Sequence, residues 1–175
     1  MLHPFEPVFD KHSSILILGT FPSEKSRKYG FFYGHPQNRF WKLLTLLTKS
    51  AKIPESIDEK IKILLKNGIA LWDVIHSCDI KGSSDASITN VVPNDLSKIL
   101  EYANIQQIYA NGEKAYRIYM KYCYKNIGKD IIKLPSTSPA NASYNLAKLR
   151  DEWEEKMSVT AIQNIEKVAS HNATY

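Results

Sequence analysis

The run Ser14-Ile15-Leu16-Ile17-Leu18, closed by Gly19, is the most constraining stretch of this 175-residue chain. It is almost wholly apolar and shows no polar alternation, which is the condition of a strand buried on both faces of a parallel sheet covered by helices. Similar short runs recur at 69–73, 107–110 and 131–134, and apolar residues at helical spacing fill the gaps at about 37–49, 57–66, 94–102, 113–125 and 145–168. Strands alternating with helices predict an α/β fold, a three-layer α/β/α sandwich around a mostly parallel, roughly four-stranded central sheet. No repeat or linker interrupts the alternation. Residues 1–175 therefore read as one domain with its core at about 14–168, and the first dozen residues and 170–175 as dispensable ends.

Composition narrows the class. With 43% hydrophobic and 23% charged residues, the chain can bury a full core. No apolar run approaches the roughly 20 residues that cross a bilayer, and the N-terminus lacks a basic start followed by a hydrophobic stretch, so a cytoplasmic protein without membrane contact is expected. Two cysteines, Cys78 and Cys123, support neither a disulfide framework nor a four-cysteine zinc or iron–sulfur site. The net charge of +5 is uneven: residues 1–50 carry +4 and 111–150 carry +6, against −2 in 51–110 and −3 in 151–175. Such a distribution suits a polyanion, above all nucleic acid, although ordinary surfaces carry surpluses of this size too.

In parallel α/β sheets ligands bind beyond the carboxyl ends of the strands. Three segments follow such ends here: Gly19-Thr20-Phe21-Pro22-Ser23 with the aromatic stretch Tyr29–Tyr33 beyond it, Asp73, and Pro135-Ser136-Thr137-Ser138-Pro139-Ala140-Asn141. Dinucleotide and phosphate-loop signatures, the GxSxG elbow and HExxH are all missing from the sequence. The remaining set of turns, aromatics and hydroxyls fits a nucleobase turned out of a duplex, which needs a stacking face, polar groups for its edge and a grip on flanking phosphates. Tyr33 or Phe32 would stack. Asp73 would accept from a protonated ring nitrogen, unless it only caps a neighbouring loop, and the Gly19–Ser23 turn would donate to a ring carbonyl. Ser136, Thr137 and Ser138 offer donors for phosphates, as does Ser23.

The string His35-Pro36-Gln37-Asn38-Arg39-Phe40-Trp41-Lys42 resembles the HPxNRFWK segment of mismatch-specific uracil and thymine DNA glycosylases. Leu134–Pro139 is similar to the second motif of the uracil-DNA glycosylase superfamily, and Gly68–Asp73 to its base-recognition strand. Where that superfamily usually places a water-activating Asp or Asn, Phe21 stands, and Ser136 replaces the His or Asn of the second motif. This combination resembles the hypoxanthine (deoxyinosine) DNA glycosylases. That resemblance implies hydrolysis of an N-glycosidic bond in DNA base excision repair, with Asn38 as the catalytic side chain and Gly19, Thr20, Phe21, Tyr33 and Asp73 around the base. Asn38 also has the plain reading of a residue that starts the helix after Pro36.

An amide has no useful basicity, so Asn38 is expected to orient a water through its carbonyl oxygen, with no metal or cofactor called for. The expected partner is double- or single-stranded DNA holding a damaged base, bound by a monomer. Uracil presents the same C=O/N–H edge as hypoxanthine, which keeps a uracil or G:U/T mismatch glycosylase as an alternative. Phe21 keeps open a catalytically inactive nucleic-acid-binding module. The gap left by a flipped base calls for a wedge, and Asn141 and Tyr144 are the candidates, each with a plain reading as a loop brace or helix start.

Overall fold

The computed structural model describes residues 1–82 and 84–158. In chain order the elements are β1 (Ile15–Gly19), α1 (Glu24–Tyr29), α2 (Phe40–Leu47), α3 (Ile57–Lys66), β2 (Ile69–Asp73), β3 (Ile75–Asp79), β4 (Thr89–Pro93), α4 (Ser97–Leu100), β5 (Gln107–Asn111), α5 (Glu113–Tyr122), α6 (Tyr124–Ile127) and β6 (Ile131–Leu134). Residues 146–158 are again helical. The remainder of the helix expected at 145–168, and the end at 170–175, lie outside the described residues.

Strands β2, β1, β5 and β6 lie side by side in that order, all pairs parallel, with helices flanking the sheet. This is the expected α/β architecture. The central strand is buried as its sequence demands: Leu16, Ile17 and Leu18 expose nothing, and all five residues of β2 are buried. The register aligns Gly19 with Asp73, and Asn111 with Leu134, so the strands end together along one rim. That rim is where parallel sheets bind ligands.

Helix starts follow local chemistry. Ser56 and Glu59 form a capping box at the head of α3, with Asp58 and Glu59 complementing the helix dipole. Ser23 accepts from the Ser26 N–H to start α1, and Gly30 ends it in the left-handed conformation. The helix expected at 37–49 begins only at Phe40, because 35–38 form a turn in which the Asn38 N–H donates to the His35 carbonyl at 2.9 Å. Antiparallel strands β3 and β4 form a separate two-stranded sheet that the sequence pattern did not announce. Among the described residues, no helix is long and apolar enough to cross a membrane.

The first dozen residues, expected to be dispensable, are built into the fold. Val8 bridges antiparallel to Leu71, the Trp72 indole donates to the Phe5 carbonyl at 3.2 Å, and the His3 N–H donates to the His76 carbonyl at 2.7 Å. Residues 1–9 thus cover the outer edge of β2, which would otherwise present unpaired backbone groups. The segment escaped sequence reading because it has neither helical nor strand periodicity and its contacts are some 70 residues away. Deleting residues 1–9 leaves the buried Asp73 carboxylate without its histidine partner, a loss of roughly 3–5 kcal/mol. The melting temperature followed by circular dichroism should fall by about 10 °C or more; an unchanged melt would return the segment to dispensable status.

Candidate active site

The strand ends open into a cleft of about 390 Å³, within the usual range of roughly 300–1,000 Å³ for small-ligand sites. Gly19, Thr20, Phe21, Ser23, Tyr33, Asn38, Asp73, Ser136, Thr137 and Ser138, all singled out in the sequence, line it together. Asn141 and Tyr144 lie in an adjoining hollow that shares Ser136 and Ser138 with the cleft.

Asp73 ends β2 and is 4% exposed. Its Oδ2 lies 2.7 Å from Nε2 of His3, whose side chain is only 2% exposed. On its other side His3 Nδ1 lies 3.0 Å from the Phe5 carbonyl oxygen and 3.1 Å from the Phe5 nitrogen, so the backbone of Phe5 holds the ring that faces the carboxylate. Edge-on contacts with Phe5 and Phe21, at ring-centre distances of 5.7 and 5.6 Å, fix the imidazole plane. Asn94 donates its amide to the Asp73 and Ile75 carbonyls at 2.8 and 3.1 Å, while the Val74 N–H donates to the Gly19 carbonyl. The bend that carries Asp73 is thereby stitched to the turn after β1. Oδ1 of Asp73 lies against Gly19, where an added Cβ would sit 2.3 Å from it. Only glycine fits there.

A buried relay sets the polarity of Asn38. The Thr137 N–H donates to Asn111 Oδ1 at 3.0 Å, so the Asn111 amide nitrogen is the donor to Thr137 Oγ1, also at 3.0 Å. The Thr137 hydroxyl passes its own proton to Asn38 Oδ1 at 2.9 Å, and the Phe40 N–H donates to the same oxygen at 2.9 Å. Both lone-pair directions of Asn38 Oδ1 are therefore taken, and Nδ2 is the group left for the cleft. The carbonyl oxygen expected to orient a water is spent on the helix start and on Thr137. Thr137 itself exposes nothing, and its hydroxyl belongs to the relay.

Tyr33 stacks on Phe40, ring centres 4.1 Å apart and planes 21° apart, with a backbone φ of +53°. Burial, reinforced by the Asp73 charge, pushes its phenol far above the ordinary tyrosine range. At the mouth, burial likewise pushes the Asp85 carboxyl up, with Lys114 opposing and Asp73 adding to the rise. Phe32, buried but among the residues lining the cleft, accepts at its carbonyl from the Trp41 indole at 3.1 Å.

Arg39, passed over in the sequence as part of a motif, grips the loop after β6. Its guanidinium donates to the carbonyls of Thr137 (3.3 Å), Ser138 (2.7 Å), Asn141 (3.2 Å) and Tyr144. Within the loop, Ser136 Oγ accepts from the Ser138 N–H, and the Asn141 amide donates to the Ser136 carbonyl at 3.0 Å. The Tyr144 hydroxyl donates to Glu152 at 2.8 Å. Gly112, at φ +100°, brings the start of α5 against Ser136, whose Cβ would lie 3.0 Å from a Cβ there.

The chain belongs to the uracil DNA glycosylase superfamily, whose family model matches residues 6–158, and with that match the cleft at the strand ends is that of a DNA glycosylase. Two curated relatives carry the name hypoxanthine DNA glycosylase. One, from Methanosarcina acetivorans, is 33% identical over 151 residues, covering 86% of this chain and 94% of the relative; the other, from Methanosarcina barkeri, is 33% identical over 112 residues, covering 63% and 71%. A solution NMR structure from Methanosarcina acetivorans, described as a candidate uracil DNA glycosylase, superposes with a TM-score of 0.73 at 31% identity, covering 89% of this chain and 98% of that one.

Replacing Arg39 by Ala removes the guanidinium's grip on four carbonyls while substituting none of the residues that line the cleft. Amide exchange in 137–144 should accelerate at least tenfold, with the sheet still protected, and base release should fall with it. Unchanged exchange in the loop would show that the carbonyls hold themselves.

Proposed function

We propose that this DNA glycosylase releases hypoxanthine from DNA, hydrolysing the N-glycosidic bond of deoxyinosine as a monofunctional enzyme of base excision repair. The observation that carries the reading is the Asp73 carboxylate, held by His3 through one oxygen and leaving Oδ1 at the cleft floor as an acceptor for the N1–H of a lactam base. Adenine offers a bare N1 at that position, and a carboxylate repels it. The names of the two relatives support the same base.

Bond cleavage leaves cationic character on the sugar and negative charge on the departing base. Nδ2 of Asn38 is a donor held without freedom to reorganise, and it serves the negative side of that separation. Water adding to a sugar that is already largely cationic needs placement more than deprotonation. Ser23, Ser136 and Ser138 hold the flanking phosphates, and the 138–144 loop supplies the wedge, Asn141 or Tyr144 giving up its present hydrogen bond to enter the stack.

A panel of duplexes holding one inosine, uracil, xanthine or mismatched thymine, scored for alkali-labile abasic sites, tests the reading. Inosine should be cut fastest; preference for uracil would move the enzyme to the uracil or mismatch class. Asn38→Ala should lose base release by about a hundredfold or more while still binding DNA. Asn38→Asp should be equally poor, because it keeps the acceptor for Phe40 and Thr137 but presents an oxygen to the cleft in place of Nδ2. Retained turnover by Asn38→Asp would restore the water-orienting role.

Binding to DNA should weaken steeply with salt, since the positive charge of residues 1–50 and 111–150 displaces counterions from several phosphates. A flat response between 50 and 200 mM salt, a window in which phosphate contacts typically lose roughly 10³–10⁵ in affinity, would point away from a nucleic-acid ligand.

A further inference from the structure

Among the described residues, the Tyr33 hydroxyl is the one buried side-chain oxygen or nitrogen with no hydrogen-bond partner. Buried polar groups are almost always satisfied, and leaving one bare destabilises the fold, so an orphan at the floor of a binding cleft marks a place where a ligand atom belongs. The hydroxyl is not adrift. Stacking on Phe40 and the left-handed backbone hold the ring, and the Asn111 amide lies near the oxygen but outside hydrogen-bonding geometry.

Its neighbour is informative. A Cβ placed on Gly19 would lie 2.8 Å from the Tyr33 oxygen and 2.3 Å from Asp73 Oδ1. Both polar atoms therefore lie close together against the Gly19 backbone, an approach that any side chain at position 19 would block, and both residues line the cleft. One is a phenol that stays protonated and has a proton to give; the other is a carboxylate oxygen with no donor, its twin being occupied by His3.

We infer that the Tyr33 hydroxyl and Asp73 Oδ1 form a two-point reader for a lactam, Tyr33 donating to the ring carbonyl and Asp73 accepting from the adjacent ring N–H. This rests on the glycosylase reading above and adds to it the donor for the base's carbonyl, which the sequence had placed in the backbone of the Gly19–Ser23 turn. Hypoxanthine presents the matching edge as O6 and N1–H, and uracil as O4 and N3–H. Adenine and cytosine present the reverse, an amino group beside a bare nitrogen, and meet Asp73 lone pair to lone pair. Guanine shares the lactam, so the pair sorts lactams from amidines and leaves guanine to the higher cost of extruding a base from an intact pair. Tyr33 is on this account a specificity-determining residue whose ring is fixed against Phe40 and whose hydroxyl does the reading.

Tyr33→Phe tests this because it keeps the ring and its stack and removes only the oxygen. The free protein should melt at the same temperature or higher, since an unsatisfied buried group is gone, while kcat/KM on the inosine duplex falls about tenfold, the worth of one neutral hydrogen bond. A structural role for the hydroxyl would move both in the same direction. In a second arm, binding is measured to duplexes carrying 2′-fluorinated, hydrolysis-resistant inosine or the fluorinated purine that lacks O6. Tyr33→Phe should weaken the first by about tenfold and leave the second unchanged. Wild-type activity and affinity in Tyr33→Phe, or equal losses on both analogues, would overturn the inference. Failure of the wild type to excise hypoxanthine strikes the proposed substrate instead. In that case the same comparison on the uracil duplex, which carries the same lactam edge, still decides the role of the hydroxyl.

Discussion

The hydrogen-bond relay from Asn111 through Thr137 to Asn38 holds the site together, and its direction is dictated by the backbone. A carboxamide taken alone can turn either way, because its oxygen and nitrogen occupy similar space. Here a main-chain N–H stands at each end, Thr137 facing Asn111 and Phe40 facing Asn38, and neither can do anything but donate. With Asn111 and Thr137 buried and both lone pairs of Asn38 Oδ1 engaged, each link has one workable orientation. Three segments far apart in the chain are locked by it: the end of β5, the turn after β6 and the start of α2. From α2 follow Phe40, on which Tyr33 stacks, and from the preceding residue follows the Arg39 grip on the loop beyond Thr137.

Much of this was written in the sequence where a local pattern carried it. Runs such as Ile69–Asp73 and Ile131–Leu134 coincide with their strands because burial on both faces leaves no polar position to blur the signal. The hairpin of β3 and β4 was not legible: Ile75-His76-Ser77-Cys78-Asp79 has too few apolar residues to separate it from a loop. Nor was α1, whose six residues begin and end on caps and carry no apolar face.

The site shows the same division. Asn38, Asp73 and the serine turn sit at strand ends or within motifs, and the structure brings them to one cleft. Asn111 closes the third strand, but as a polar residue it lies outside the apolar run 107–110 that marks this strand in the sequence. His3 carries no local signal at all, since its only claim to the site is a carboxylate 70 residues away. The polarity of Asn38 likewise needed coordinates, because no sequence pattern tells which end of an amide faces a cleft.

The joining of His3 to Asp73 makes the cleft a property of segments that run from the first residues to the loop after β6. Its parts come from the first residues, from the ends of three strands, from the turn at 33–38 and from a loop near residue 137, segments that the backbone keeps well apart. Closing loops over such distances costs chain entropy that the completed sheet must offset, so the cleft depends on long-range contacts and not on any local segment. Local opening of either the leading segment or the loop held by Arg39 dismantles it again. An enzyme that severs bases from DNA is hazardous when indiscriminate, and this construction ties its cutting ability to the integrity of its whole tertiary structure.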